Sequence, residues 1–114
     1  MGDSYQIQGT CLVVDVPEEL DHHQAEQIRQ ETERIRRSRP IRHLIFNFSD
    51  TSFMDSSGVG MLINRYRELS SLGGSVAAAA VHPGVKKLFM VSGLYKIIPF
   101  YPDVKTAVSE LWEE

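Results

Sequence analysis

The stretch Phe53-Met54-Asp55-Ser56-Ser57-Gly58-Val59-Gly60 decides the fold, because it joins an apolar run to a strongly periodic helix. Upstream of it, Leu44-Ile45-Phe46-Asn47-Phe48 has the apolar character of a buried strand. Downstream, apolar residues recur at helical spacing on one face, namely Val59, Leu62, Ile63, Tyr66 and Leu69. Burial of each of these side chains contributes at most about 1.5–3 kcal/mol, which predicts a helix anchored to a core.

The junction itself has the residues of a helix start. Asp55 or Ser56 is the predicted N-cap, and Gly58 and Gly60 are expected to leave the first turns bare, so that another molecule can approach closely. A phosphate on Ser56 would meet unpaired N–H groups and the positive end of the helix dipole. The plainer interpretation, which local composition favours, is that these polar residues only cap a helix.

Composition describes one ordinary globular domain covering residues 1–114, with 42% hydrophobic and 24% charged residues. The formal net charge of −3 argues against nucleic-acid binding. Basic residues cluster in one helix and its exit, at Arg29, Arg34, Arg36, Arg37, Arg39 and Arg42. Acidic residues are interleaved with them, which indicates a solvated face.

Cellular location is predicted from three features. The single cysteine, Cys11, cannot form a disulfide within the chain, which favours a reducing compartment. The first residues lack the basic and apolar segments of a signal peptide. No apolar run approaches the roughly 18 residues that span a bilayer. We therefore expect a cytoplasmic protein that does not bind membranes.

Taken in order, strand-like and helix-like segments alternate along the chain. Two strands, residues 5–8 and 11–16, are predicted to form a hairpin at Gly9-Thr10. A helix at about residues 22–38 follows, and Pro40 stops it. The inward face of this helix consists of Ala25, Ile28, Thr32 and Ile35.

The second half continues the alternation. Gly73-Gly74 ends the helix after the Asp-Ser-Ser stretch, and a strand of small residues is predicted at 75–81. A helix is predicted from Pro83 to Gly93, with Val85, Leu88 and Phe89 facing inward. A strand at 96–100 follows. Asp103 caps a last helix, which is predicted to pack on the body of the protein through Val104, Ala107, Val108, Leu111 and Trp112.

This alternation predicts an α/β protein with right-handed crossovers, a largely parallel sheet and an antiparallel edge from the opening hairpin. Functional loops of such sheets lie at the carboxyl ends of the parallel strands. Asp21-His22-His23 and Asp55-Ser56-Ser57 both follow strands at that edge, so we expect them to be neighbours.

At these residues the sequence resembles the STAS family of anti-sigma factor antagonists, over about residues 5–112. The most specific segment is residues 52–60. The supporting segments are Glu19-Leu20-Asp21-His22-His23, Ala25-Glu26, Asn64-Arg65-Tyr66, Gly73-Gly74, Val85-Lys86-Lys87-Leu88-Phe89 and Ser92-Gly93-Leu94. Asp21-His22-His23 and Lys96-Ile97-Ile98 resemble the sporulation members more than the general-stress members.

The resemblance implies the STAS fold, with a mixed, mostly parallel sheet of four to five strands and about four helices. It also implies partner switching, in which the unphosphorylated antagonist binds an anti-sigma factor that is a serine kinase and frees the sigma factor. The kinase, which binds ATP or ADP itself, then phosphorylates the serine after the aspartate, Ser56 here, and a serine phosphatase resets the protein. Ser57 would be a supporting hydroxyl, and the free protein would be a monomer without cofactor.

The residues expected to contact the partner surround this serine. They are Asp21, His22, His23, Phe53, Met54, Asp55, Ser56, Ser57 and Gly58. One difference from the family lies nearby, because Glu18 stands where a glycine is frequent.

Three other functions have some support in individual residues. A serine hydrolase would use His22, His23, His43 or His82 as base, but Asp-Ser-Ser-Gly is not a nucleophile-elbow pattern. A metal site at His22-His23 is disfavoured because adjacent helical side chains diverge by about 100°. A nucleotide site at Gly58-Val59-Gly60 lacks a Walker pattern. The sequence thus predicts no enzyme, metal or cofactor, and the alternative is a non-enzymatic cytosolic nucleotide- or anion-binding module.

Overall fold

The computed structural model describes residues 4–112. The strands are β1 (Tyr5–Gln8), β2 (Cys11–Asp15), β3 (Glu19–Leu20), β4 (His43–Asn47), β5 (Phe53–Met54), β6 (Ser75–Ala79) and β7 (Phe100–Tyr101). The helices are α1 (His22–Ser38), α2 (Ser56–Ser71), α3 (Pro83–Ser92) and α4 (Val104–Leu111), and a 3-10 turn spans Leu94–Lys96.

Five of these strands form one sheet in the order β1-β2-β4-β6-β7. The β1–β2 hairpin is antiparallel, and each of the other neighbouring pairs is parallel. β3 and β5 form a separate parallel pair. The expected mixed sheet with an antiparallel edge is therefore confirmed, as are the four helices in this part of the chain.

The two faces of the sheet are covered differently. Alternate strand residues such as Leu12 and Phe46 pack with buried side chains of α1, α2 and α3 in the larger core. The residues between them, such as Val13 and Ile45, pack with Ala107 of α4 in the smaller core. The site described below lies at the carboxyl end of this sheet, where α1 and α2 begin.

Helix α1 has the predicted bounds and the predicted buried face. On α2 the buried face is rotated from the expected one, because Met61 and Arg65 are buried, whereas Val59, Ile63 and Tyr66 pack against the core and remain partly exposed. Gly93 ends α3 with a φ of 83°, as its position predicts.

The prediction of a strand at residues 96–100 is wrong. Gly93 turns the chain into a 3-10 turn, and the Ile98 N–H donates to the Leu94 carbonyl at 2.9 Å. Leu94 and Ile98 both enter the core through this helical spacing. The strand is shorter and comes later, at Phe100–Tyr101.

The strand expected at 75–81 ends at Ala79, since Ala80 adopts a φ of 56°, which breaks the extended backbone. None of the helices in residues 4–112 has the length and apolar character needed to cross a membrane.

Candidate functional site

The short parallel pair of strands β3 and β5 positions the residues of the site. Glu19 lies opposite Phe53 and Leu20 opposite Met54 in parallel register. Because α1 follows β3 and α2 follows β5, the two helices begin side by side. The expectation that Asp21 and Asp55 regions are neighbours is confirmed, and the Asp55 N–H donates to the Leu20 carbonyl at 3.3 Å.

Both helices are capped by aspartate. Asp21 Oδ1 accepts from the Gln24 N–H at 3.0 Å, and Asp55 Oδ1 accepts from the N–H groups of Ser57 at 2.9 Å and Gly58 at 3.3 Å. Asp55 is thus the N-cap, and Ser56 is the first residue of α2. These carboxylates occupy N–H groups that otherwise lack an intrahelical partner.

The two serines differ in their surroundings. Ser56 is exposed, whereas Ser57 is half-buried and its hydroxyl oxygen lies 3.4 Å from His22 Nδ1. His22 and His23 are both exposed at the start of α1. The structure therefore brings His22 to Ser57 and leaves Ser56 facing outward.

The floor of the site is apolar and closely packed. A Cβ added to Gly58 would lie 2.6 Å from Met54 Cγ and 3.0 Å from Leu20 Cδ2. Met54 is 6% exposed, whereas Phe53 is 49% exposed. Gly58 is needed for packing, so the expectation that it leaves a bare surface is wrong. The expectation of a bare surface holds for Gly60, because a Cβ added there would have no neighbour within 4 Å.

Thr51 joins the loops below the site through hydrogen bonds, and the sequence did not predict this role. Its side chain is 0% exposed, and its hydroxyl lies 3.2 Å from the Val16 carbonyl oxygen and 2.9 Å from that of Pro17. The Glu18 carbonyl accepts from the Phe53 N–H at 3.2 Å. A threonine in a polar loop gave no signal of this role, because its partners lie in another loop.

A groove of about 280 Å³ runs between α1 and α2 beside these serines. Its lining residues are His22, Ala25, Glu26, Arg29, Ser57, Gly60, Met61 and Asn64. The two charged residues in it satisfy each other, with Arg29 Nη2 and Glu26 Oε2 at 2.8 Å. The hydrogen bond from Arg29, with burial opposing it, lowers the pKa of Glu26 to about 2. The groove is therefore polar without a strong excess charge.

Arg65 joins α1 to α2 behind this groove and was also missed. It is 2% exposed, and its guanidinium contacts Glu33 at 3.1 Å, Glu68 at 2.9 Å and the Asn64 side chain at 2.9 Å. Arg36 completes the network with bonds to both glutamates. The prediction of a solvated basic face holds for Arg29, Arg34 and Arg37, which remain accessible and pair with glutamates of α1, and it is wrong for Arg36, which lies in the network with α2.

Acidic residues outnumber basic ones in the two stretches of sequence that form the site. Lys and Arg are absent from residues 1–28 and 43–64. The acidic residues of the described parts of these ranges are Asp15, Glu18, Glu19, Asp21, Glu26, Asp50 and Asp55. Of these residues, Asp21 and Asp55 lie at the helix starts that form the site, so the site carries negative charge before any modification.

The remaining histidines lie away from the serines of the site. His43 Nδ1 is 2.7 Å from the Ser75 hydroxyl, and His82 Nε2 lies against the Ser49 carbonyl. Across residues 4–112, no three His, Cys, Asp or Glu side chains are grouped so that they could hold a metal ion.

Known proteins share both the sequence pattern and the fold. The STAS domain pattern matches residues 4–107. An anti-sigma F factor antagonist of Paenibacillus polymyxa is 36% identical over 100 residues, which are 88% of this chain and 86% of that protein. The structure of the anti-sigma factor antagonist SpoIIAA in its unphosphorylated form has 32% identity and a TM-score of 0.81, and the match covers 93% of both chains.

SpoIIAA, a Bacillus cell fate determinant, has also been solved in its phosphorylated form. That structure has 32% identity and a TM-score of 0.73, and the match covers 93% of this chain and 97% of that one. With the family pattern spanning nearly the whole described chain and the five-stranded sheet in place, this chain belongs to the STAS domain family.

Proposed function

We propose that this chain is an anti-sigma factor antagonist whose unphosphorylated form binds an anti-sigma factor that is also a serine kinase, and thereby frees the sigma factor. The observation that carries the proposal is an exposed Ser56 at the first position of α2, directly after the capping Asp55. The 36% identity with an anti-sigma F factor antagonist supports it. The role is regulatory binding in the cytoplasm by a monomer without catalysis, metal or cofactor.

Ser56 is the proposed phosphate acceptor, and Ser57 supports the site. Ser56 is exposed, so its hydroxyl is accessible to a kinase. Ser57 is half-buried and close to His22, so its hydroxyl is less accessible. A metal-dependent serine phosphatase would restore the unmodified form.

Phosphorylation would switch off binding by charge and bulk. It adds about −1.5 to −2 charges beside Asp55 on a surface that is already acidic. Against a partner carboxylate at about 5 Å, each added charge costs roughly 1–3 kcal/mol at surface dielectric, or roughly 5–150-fold in affinity. An effect of this size is sufficient for a switch.

The fold is expected to tolerate the phosphate locally. The start of α2 favours negative charge through its dipole, although Asp55 already accepts from the Ser57 and Gly58 N–H groups. Far-UV circular dichroism should therefore change little on phosphorylation. A large loss of helical signal would contradict a local switch.

The proposed contact surface combines exposed polar groups with one exposed apolar side chain. Its outward residues are Asp21, His22, His23, Phe53, Asp55, Ser56 and Ser57, with Met54 and Gly58 beneath them. Asp21→Ala should weaken kinase binding through lost contact and through the lost cap of α1. Met54→Ala should weaken it by removing the side chain that packs beneath Gly58 at the start of α2. Unchanged tight binding by both variants would count against this surface.

The decisive experiment is intact-mass analysis and site mapping after incubation with ATP and a cognate or related anti-sigma factor kinase. Wild type, Ser56→Ala and Ser57→Ala are compared, and binding of each to the kinase with ADP is measured in parallel. A single phosphate that only Ser56→Ala loses supports the switch and its acceptor. Absence of both phosphate and binding in all forms would favour the alternative, a non-enzymatic nucleotide- or anion-binding module.

A further inference from the structure

Two adjacent serines stand at the start of α2, and the proposed switch uses one of them. Successive side chains of a helix point about 100° apart, so Ser56 and Ser57 cannot have the same surroundings. Ser56 is exposed, whereas Ser57 is half-buried. Because Ser57 keeps part of its surface in contact with solvent, burial alone does not remove it from the reach of a kinase. Something besides burial is needed to distinguish the two hydroxyls.

Ser57 lies on the face of α2 that turns toward α1. Met61 and Asn64 follow it at helical spacing, and all three line the groove between the two helices. His22, the first residue of α1, lines the same groove. Its Nδ1 atom lies 3.4 Å from the Ser57 hydroxyl oxygen, a hydrogen bond between side chains that are 35 residues apart in the chain. Ser57 thus has a partner across the groove.

Backbone contacts hold the two side chains next to each other. Asp21 caps α1 directly before His22. The Asp55 N–H donates to the Leu20 carbonyl at 3.3 Å, which joins the start of α2 to the strand that precedes α1. The backbones that carry the imidazole and the Ser57 hydroxyl are therefore kept side by side by the fold.

We infer that His22 determines which serine the kinase modifies, because its imidazole holds the Ser57 hydroxyl in the groove and leaves Ser56 as the acceptor. In phosphoryl transfer the serine oxygen bonds to the γ-phosphorus of ATP, the bond to the ADP oxygen breaks, and the hydroxyl proton passes to a base of the kinase. Ser57 must leave His22 to enter that geometry, whereas Ser56 already faces outward. His22 is thus a positioning residue, and this inference rests on the proposed function.

The expected size of the effect is that of one weak hydrogen bond. At 3.4 Å the contact between His22 and Ser57 is longer than an ordinary hydrogen bond. A single hydrogen bond changes an equilibrium by about two- to tenfold, and removal of the imidazole also uncovers the hydroxyl. His22→Ala should therefore raise phosphorylation of Ser57 relative to that of Ser56 by about three- to tenfold.

Two single-serine backgrounds provide the readout. Ser56→Ala leaves Ser57 as the acceptor at the start of α2, and Ser57→Ala leaves Ser56. Each is incubated with ATP and a saturating amount of a cognate or related anti-sigma factor kinase, and peptide mass spectrometry gives the rate at the remaining serine. His22→Ala is then added to both backgrounds. The ratio of the Ser57 rate to the Ser56 rate removes any effect of this substitution that both serines share.

Two matched substitutions separate the hydrogen bond from other effects. His22→Asn should leave the ratio near that of the parent proteins, because an asparagine amide occupies the place of Nδ1 and can hold the Ser57 hydroxyl. His23→Ala removes the neighbouring exposed histidine and should also leave the ratio unchanged. Circular dichroism and thermal melting establish that each protein is folded.

The outcomes separate this inference from the proposed function. If Ser56 is phosphorylated while His22→Ala leaves Ser57 unmodified or raises the ratio less than about threefold, the inference is overturned and the proposed function stands. Equal rates at the two serines with His22 in place overturn it too. A ratio raised as much by His22→Asn or His23→Ala as by His22→Ala also overturns it, since the hydrogen bond is then not the cause. If wild type neither binds the kinase nor takes up phosphate, both fail.

Discussion

Two glycines two residues apart in α2 should respond in opposite directions to the same added methyl group. At Gly58 the new Cβ would lie 2.6 Å from Met54 Cγ and 3.0 Å from Leu20 Cγ, and Leu20 is 0% exposed. Inserting a carbon into such packing costs about 1–3 kcal/mol. The gain in helix propensity from Gly to Ala, about 1 kcal/mol at most, offsets part of this cost. Gly58→Ala should therefore lower the free energy of unfolding by about 1–2 kcal/mol.

At Gly60 the added Cβ has no neighbour within 4 Å, so only the propensity gain remains. Gly60→Ala should raise the free energy of unfolding by about 0.5–1 kcal/mol. Urea unfolding followed by circular dichroism measures both variants against wild type, with equal m-values as evidence that the two-state comparison is valid. A Gly58→Ala variant as stable as Gly60→Ala would refute the reasoning that Met54 and Leu20 form a fixed floor under the site.

Three further predictions concern stability. Arg65→Met removes the buried partner of Glu33 and Glu68 and leaves both paired with Arg36, so it should cost about 1–3 kcal/mol in urea unfolding, less than breaking a fully buried pair because these carboxylates are also 17% and 30% exposed. An unchanged free energy of unfolding would contradict it. Burial alone would raise the pKa of Glu33, but the hydrogen bond from Arg65 and the charge of Arg36 together hold it below its ordinary 4.5. A carboxylate whose pKa is lowered by folding stabilises the fold at pH values above its pKa in the unfolded chain. Acidification removes this stabilisation, so the melting temperature should fall as the pH drops below about 5, and less steeply in Arg65→Met. Ala80→Gly should stabilise the fold by about 0.5 kcal/mol in urea unfolding, because a φ of 56° strains a residue with a Cβ; a destabilised variant would show that the strain is absent.

The limits of α1 could be predicted from sequence because independent local signals agree there. Asp21 caps the first turn, Pro40 lies just past the end, and Ala25 and Ile28 begin a face with helical period. Each signal acts within a few residues, so no knowledge of the rest of the fold was needed. The same holds for Asp55 as the cap of α2 and for Gly93 at the end of α3.

The elements that the sequence did not predict depend on distant partners. β3 and β5 have two residues each, too few to show an alternating pattern, and they exist because they pair with each other. Ile98 lies within the strand expected at residues 96–100, but the left-handed Gly93 starts a turn that buries Leu94 and Ile98 at helical spacing. In each case tertiary contacts override the local pattern.

The same distinction applies inside the site. The Asp55–Ser56 pair could be predicted as an exposed helix start, since capping is local. The sequence could not show which glycine has free space beside it, because the space at Gly58 is filled by Leu20 from β3. Arginine is ordinarily a surface residue, and the burial of Arg65 is possible because it pairs with two glutamates, one on each of the paired helices.

The site therefore has two layers whose substitutions should produce different kinds of defect. Phe53 and Ser56 face outward, so changing them alters what a partner meets while the fold is kept, whereas Asp21 also caps α1 and its loss lowers stability as well. Thr51 and Gly58 are buried, so changing them shifts the outward residues and lowers stability at the same time. Because the β3–β5 pair joins the starts of α1 and α2, we expect a shift on either strand to displace both acidic caps. A loss of partner binding that comes without loss of stability thus identifies a contact residue, and this criterion separates the docking surface from its support.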